Sequence, residues 1–199
     1  MTDPDESAFF DFMATEKSAS PRTLANYRDA LAAFRTSRGE RFSTWRQALP
    51  DDFRDHLFAL MKHGFKRATI RLRFAALRSF YKFLVLRRGL ARSPVADVQL
   101  PKPERSLPVV LTIAQIDELL AIPLRLPVDK KSPSWLPVRD AAILELFYSC
   151  GLRISELLAL DVNHLDFIGE SVRVTGKGAK QRIVPIGAPA ITAIWFAMN

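Results

Sequence analysis

A chain of 199 residues, 48% of them hydrophobic, has room for one large domain or two small ones with real cores, which excludes wholesale disorder. It holds no apolar run long enough to span a membrane, its opening Met1-Thr2-Asp3-Pro4-Asp5-Glu6 is acidic where a secretory signal is basic and apolar, and its lone Cys150 cannot form an internal disulfide or a multi-cysteine metal site, so a cytoplasmic location is expected. The net charge of +8 falls wholly in residues 1–106, with 20 basic against 12 acidic side chains, while residues 107–199 hold nine of each.

Phe9-Phe10-Asp11-Phe12-Met13 marks a short amphipathic helix. Ser20-Pro21 reads as a helix start, with serine as the cap and proline at the first helical position; Leu24, Tyr27, Leu31 and Phe34 then recur at helical spacing up to Gly39. A third helix is expected from Asp51 to Met61, ending near Gly64.

The next helix, Arg67 to Arg88, carries the apolar stripe Ile70, Phe74, Leu77, Tyr81 and Leu84. At about 100° per residue, Arg67, Arg71, Arg78 and Lys82 share one flank of that stripe. The helix lies in a stretch, His56 to Ala96, with ten basic residues and no acidic one. Solvated faces usually mix both signs, so a one-signed row beside a packing face points to a polyanion, nucleic acid first, and these four cations are the candidate phosphate contacts. The aromatic residues here lie mainly on the core face, so they are not read as base-stacking platforms.

From Gln99 to Pro108 the chain reads as a stiff, exposed linker, with Pro101, Pro103 and Pro108 among charges. Thr112 and Gln115 form a capping box ahead of Ile116, Leu119 and Leu120. Ile122 to Pro137 reads as a proline-punctuated loop, and Val138 to Ser149 as a helix broken by Gly151, with Arg153 opening the next. Cys150 closes an apolar run, Phe147-Tyr148-Ser149-Cys150, and reads as a small core residue. After Leu160 the period changes, and Leu165 with Phe167, Val172 with Val174, and Ile183, Val184 and Ile186 indicate three short strands joined by turns at Ile168-Gly169-Glu170 and Gly176-Lys177-Gly178-Ala179-Lys180. A last helix runs from Ala188 to Met198, and its Trp195-Phe196 pair is an exposed aromatic liability for aggregation. The expected fold class is therefore mainly α with a small antiparallel β-sheet.

Two segments carry the chemistry. Gly151-Leu152-Arg153-Ile154-Ser155-Glu156-Leu157 puts an arginine at a helix start, and Gly176-Lys177-Gly178 puts a lysine on a tight turn. With Arg139-Asp140-Ala141-Ala142, Tyr148-Ser149-Cys150 and Val174-Thr175-Gly176-Lys177-Gly178-Ala179-Lys180-Gln181-Arg182, the second half resembles the catalytic domain of the tyrosine recombinases of phage-integrase type, and within them the Xer subgroup. Through Ser20-Pro21-Arg22-Thr23, Ala25-Asn26-Tyr27 and Ala76-Leu77-Arg78-Ser79-Phe80-Tyr81-Lys82-Phe83-Leu84, the first half resembles that family's core-binding domain. The resemblance implies a helical, SAM-like domain over 1–98, a linker over 99–110, and the N-terminal part of an α+β catalytic domain over 111–199.

It also implies a reaction. A tyrosine attacks a DNA phosphodiester, forming a 3′-phosphotyrosyl link and releasing a 5′-hydroxyl, with no metal or ATP because the covalent bond stores the energy. Negative charge gathers on the phosphate oxygens in the transition state, so cations must surround it, and the planar guanidinium fork suits two oxygens. Arg153 matches the first catalytic arginine, and its plain alternative is a surface pair with Glu156, one turn on. Glu156 is read as a supporting residue that orients a neighbour. Lys177 matches the hairpin lysine that protonates the departing oxygen, with Lys180 as a rival.

The family also needs a His-x-x-Arg pair, a further His or Trp, and the nucleophile. None of His56, His63 and His164 has arginine three positions on, and Tyr27, Tyr81 and Tyr148 all read as helix core. The nucleophile is assigned to none of them, and a C-terminally truncated chain, inactive alone, is expected. The implied partners are double-stranded DNA and, for an intact enzyme, a second recombinase of Xer type in a tetramer. The short N-terminal region favours chromosome-dimer resolution over mobile-element integration. A DNA clamp without chemistry remains open, as does a generic basic helical regulator, which treats the arginine and lysine segments as accidents.

Overall fold

Asp3 starts the first helix of the chain. In the computed structural model, which describes residues 3–103, 107–127, 129 and 131–198 apart from the Lys177 side chain, its carboxylate accepts from the backbone N–H groups of Asp5 at 2.9 Å and Glu6 at 3.2 Å. Helix α1 (Pro4–Thr15) therefore begins ahead of the apolar cluster at Phe9, because Asp3-Pro4 is itself a cap and first turn. The chain divides into two units, Met1–Leu107 and Pro108–Asn199.

The first unit adds α2 (Pro21–Arg38), α3 (Pro50–Lys62) and α4 (Arg67–Arg87). Ser20 caps α2 through Oγ, which accepts from Thr23 N at 3.2 Å, and Gly39 ends it at φ +53°, a conformation that glycine alone adopts cheaply. The expected stripe of α4 is buried throughout. It faces an aromatic core in which Phe34 stacks on Phe53 with ring centres 4.5 Å apart and Trp45 meets Phe80 edge to face with ring centres 4.9 Å apart. Such pairs add to the burial of large rings.

Two acids from the chain's opening are buried with that core. Glu6 accepts from Trp45 Nε1 at 2.7 Å, and Asp5 accepts from Arg46 at 2.8 Å and Arg88 at 3.0 Å. Tyr81 donates its hydroxyl proton to the carbonyl of Trp45 at 2.8 Å. Val95 and Val98 are buried and Leu100 packs on the same core, so the stretch from 99 begins packed along this unit.

The second unit contains α5 (Ile113–Arg125), α6 (Leu136–Cys150), α7 (Ile154–Leu158), β1 (Leu165–Asp166), β2 (Ser171–Thr175), β3 (Gln181–Pro185) and α8 (Ala188–Met198). The capping box is formed: Thr112 N donates to Gln115 Oε1 at 2.9 Å, and Gln115 N to Thr112 Oγ1 at 3.3 Å. The loop expected from Ile122 begins later, because α5 continues to Arg125 with Pro123 inside it. A proline this close to a helix end removes one hydrogen bond only, and Leu126 N still reaches Ile122 O at 3.1 Å.

The sheet is antiparallel in the order β1-β2-β3, with Val172 paired to Val184 and Val174 to Arg182. Val172, Val174 and Ile186 form a small core with Leu152, Ala142, Leu146, Ala190 and Ile194, and α6 packs on both α5 and α8. Tyr148 departs from its reading as core and is 58% exposed. It lies two positions beyond buried Leu146, which carries it to the far side of α6. Trp195 and Phe196 are exposed on α8, as the aromatic ending suggests. Among the described residues no helix is long and apolar enough to cross a membrane.

Candidate functional site

Gly151 ends α6 in the left-handed conformation, φ +58°, and so turns the chain at once toward α7. Leu152 then enters the core, leaving Arg153 at the cap of α7 with an exposed side chain. α7 is only five residues long, and Glu156 secures its start: the carboxylate accepts from Arg153 N through Oε2 at 2.9 Å. The same carboxylate meets the Arg153 side chain, Nη1 to Oε1, at 2.8 Å. The surface pair suggested as the plain alternative for Arg153 is thus present, but one half of it is not on the surface. The Glu156 side chain is 3% exposed, against 73% for Arg153.

What takes Glu156 out of water is Arg182, on β3. Its guanidinium forks onto the carboxylate, Nη1 to Oε1 at 2.6 Å and Nη2 to Oε2 at 2.9 Å. The Arg182 fork first, and then the backbone N–H of Arg153, hold the Glu156 carboxyl well below the usual carboxylate range, at about 2. One anion thus joins a loop arginine to a strand arginine that lies 26 positions beyond Glu156 in the chain.

Sequence reasoning quoted Arg182 within a motif but gave it no role. A signal was available: Arg182 alternates with Val184 on β3 and sits opposite Val174, so it is a cation on the strand face that points to the core. A charge there requires a partner.

The turn between β2 and β3 carries Lys177. Its backbone forms a short 3-10 turn over Lys177–Ala179, closed by Gly176 N donating to Lys180 O at 2.8 Å, with Gly178 at φ +75°. The turn's first residue lies against the same carboxylate: a Cβ added to Gly176 would stand 3.3 Å from Glu156 Oε1. The Lys177 side chain lies outside the described residues, and the rival Lys180 is exposed.

In the first unit the cation row has a structural partner. Arg78 Nη2 donates to Val98 O at 2.7 Å, Arg71 Nη1 to Pro101 O at 3.3 Å, and Arg67 Nη1 to Lys102 O at 3.5 Å. Arg71, Arg78 and Lys82 line one open groove with Ala75 and Leu100. All four side chains are exposed, and a guanidinium that donates to one carbonyl has further N–H groups for a phosphate.

Residues 7–88 match the family model described as "Phage integrase, N-terminal SAM-like domain", and residues 110–197 the one described as "Phage integrase family". The chain is similar to curated proteins named tyrosine recombinase XerC: 38% identical over 94% of this chain to that of Roseiflexus castenholzii, and 39% over 94% to that of Actinobacillus succinogenes. It spans 58% and 61% of their respective lengths. Among solved structures it resembles the Tn1549 transposon integrase in complex with transposon right end DNA, with a TM-score of 0.71 at 16% identity, covering 96% of this chain and 63% of that one; this shows a shared fold. With two domain models of one family covering most of its length, the chain belongs to the phage integrase family, the tyrosine recombinases.

Proposed function

We propose that residues 1–199 supply the duplex-gripping domain and the first part of the catalytic domain of a Xer-like, site-specific DNA recombinase. The reaction cuts and rejoins double-stranded DNA through a 3′-phosphotyrosyl intermediate. Arg153 binds the scissile phosphate, Lys177 protonates the departing 5′-oxygen, and Glu156 sets the pose of Arg153. Arg67, Arg71, Arg78 and Lys82 contact the phosphate backbone. The carrying observation is the buried Glu156 carboxylate, which holds Arg153 on one side and lies against the base of the Lys177 turn on the other. That arrangement supports convergence of two cations on one linkage, where oxyanion charge develops. The curated relatives are named tyrosine recombinase XerC, which supports the Xer-like reading; the role we propose within it, over mobile-element integration, is chromosome-dimer resolution and segregation in the cytoplasm, with a second Xer-type recombinase completing a tetramer.

Two measurements test this. With a nicked suicide duplex carrying a Xer-type recombination site, residues 1–199 are expected to give no covalent protein–DNA adduct on a denaturing gel. An adduct overturns the view that Tyr27, Tyr81 and Tyr148 are not nucleophiles. Duplex binding, in contrast, is expected and salt-sensitive. Replacing Arg71, Arg78 and Lys82 together by glutamine is expected to lower the slope of log K against log salt by about 2–3. An unchanged slope removes α4 from the interface.

A further inference from the structure

Glu156 has one negative charge and two guanidinium partners. Arg182 takes both carboxylate oxygens, at 2.6 and 2.9 Å, from a half-buried position on β3. Arg153 touches one oxygen with one side-chain nitrogen, at 2.8 Å, from an exposed position. A fork that satisfies both oxygens of a buried carboxylate largely neutralises it, and the second cation is then left with charge to offer a ligand. Remove the fork, and the buried anion has only Arg153 to turn to.

We propose that Arg182 is a positioning residue: by holding and neutralising Glu156 it keeps the charge of Arg153 available for a phosphate. This rests on the reading of Arg153 as a phosphate-binding arginine. Arg182 itself need touch no DNA. The location fits that role, since β3 follows directly from the turn that carries Lys177, and Gly176 leaves room for the carboxylate between the two segments. A Cβ at 176 would stand 3.3 Å from Oε1 and 3.6 Å from Arg182 Nη1, so the clamp would have to give by a few tenths of an ångström to admit it.

The test uses the 199-residue chain and a fluorescent duplex of about two helical turns, with affinity measured by anisotropy across a salt series. Arg153→Gln is expected to lower the slope of log K against log salt by about 1, the loss of one phosphate contact. Arg182→Gln is expected to lower it by the same amount, because Arg153 then turns inward onto Glu156. The double variant Arg182→Gln with Glu156→Gln is expected to recover the slope, because the amide that replaces the carboxylate can still accept a hydrogen bond and pose Arg153 but has no charge to capture it. A residue with a merely structural role gives no such recovery, since the double variant restores no packing. Circular dichroism on every variant checks folding. If Arg182→Gln does not fold, Arg182→Lys reads the same point: it keeps the charge without the fork, and its slope is expected between those of the wild type and Arg153→Gln. A wild-type slope in Arg182→Gln, or in Arg182→Lys where that stands in, overturns the inference, as does a double variant that stays low. An Arg153→Gln slope equal to wild type overturns the reading of Arg153 itself and removes the basis for the inference with it.

Discussion

The two units bury acids in opposite settings. In the first, Asp5 and Glu6 lie beside a dense aromatic core, and their partners, Arg35, Trp45, Arg46 and Arg88, close that core at its edge. In the second, the core is mostly small aliphatic residues, and the acid buried among its described residues, Glu156, holds a guanidinium that is itself exposed. The difference is instructive because a buried ion pair contributes little net stability against an apolar replacement of equal volume. Where the core is already large, such a pair fixes which segments meet. Where the core is thin, the pair leaves a cation facing water, as the proposed phosphate contact of Arg153 needs. The first unit thus joins its acids to a thick core and the second to a thin one.

The sharpest challenge to this contrast is core truncation. Phe34→Ala removes a ring that touches Phe42, Trp45, Phe53 and His56, and is expected to cost about 3–5 kcal/mol, read by denaturant unfolding. Leu152→Ala, at the thinner core, is expected near the low end of the range for such changes, about 2 kcal/mol. Equal costs would erase the distinction.

Acid titration separates the units next. Burial first, then the nearby Arg73 and Arg38, push His56 down to about 4. Its folded value lies below the unfolded one, so the unfolded chain binds the extra proton. The stability that His56 confers is complete above about pH 6.5 and is lost as pH falls through about 4, by up to about 3 kcal/mol. Glu156 behaves likewise in a lower window. Its contribution is present above about pH 4.5 and lost as pH falls toward 2. Fluorescence of Trp45 on acidification should therefore change earlier than that of Trp195, and Glu156→Gln should remove the Glu156 part of the second unit's loss in that lower window. The smallest effect is expected from Gly151→Ala, about 1 kcal/mol by thermal melting, because a Cβ is strained at φ +58° while nothing lies within 4 Å to clash with it.

Much of this was legible along the chain. The Ser20 cap, the Thr112–Gln115 box, the stripe from Ile70 to Leu84 and the alternation through Val172 and Val174 are short-range patterns, and each formed its element where expected. Arg153 and Glu156 are three apart and announce their own pairing. Other features were not legible. Tyr148 looked apolar by its neighbours, but which side of α6 is covered depends on where the sheet and α8 lie. Asp5 and Glu6 could be read only as part of an acidic opening, because their partners Arg35, Trp45, Arg46 and Arg88 follow some thirty to eighty positions later.

The sequence alone determined the helical class, the placement of most helices and all three strands, the basic face of α4, and the family through its arginine and lysine segments. Helical period, capping and strand alternation act over a few residues, so they can be read without knowing what packs on what. Only the tertiary structure decided that Arg182 joins Arg153 on Glu156, and that α4's cations hold the carbonyls of Val98 and Pro101 as well as facing solvent. Those pairings depend on strand register and on how a chain folds back on itself, and no local pattern encodes the distance between side chains that the backbone brings together.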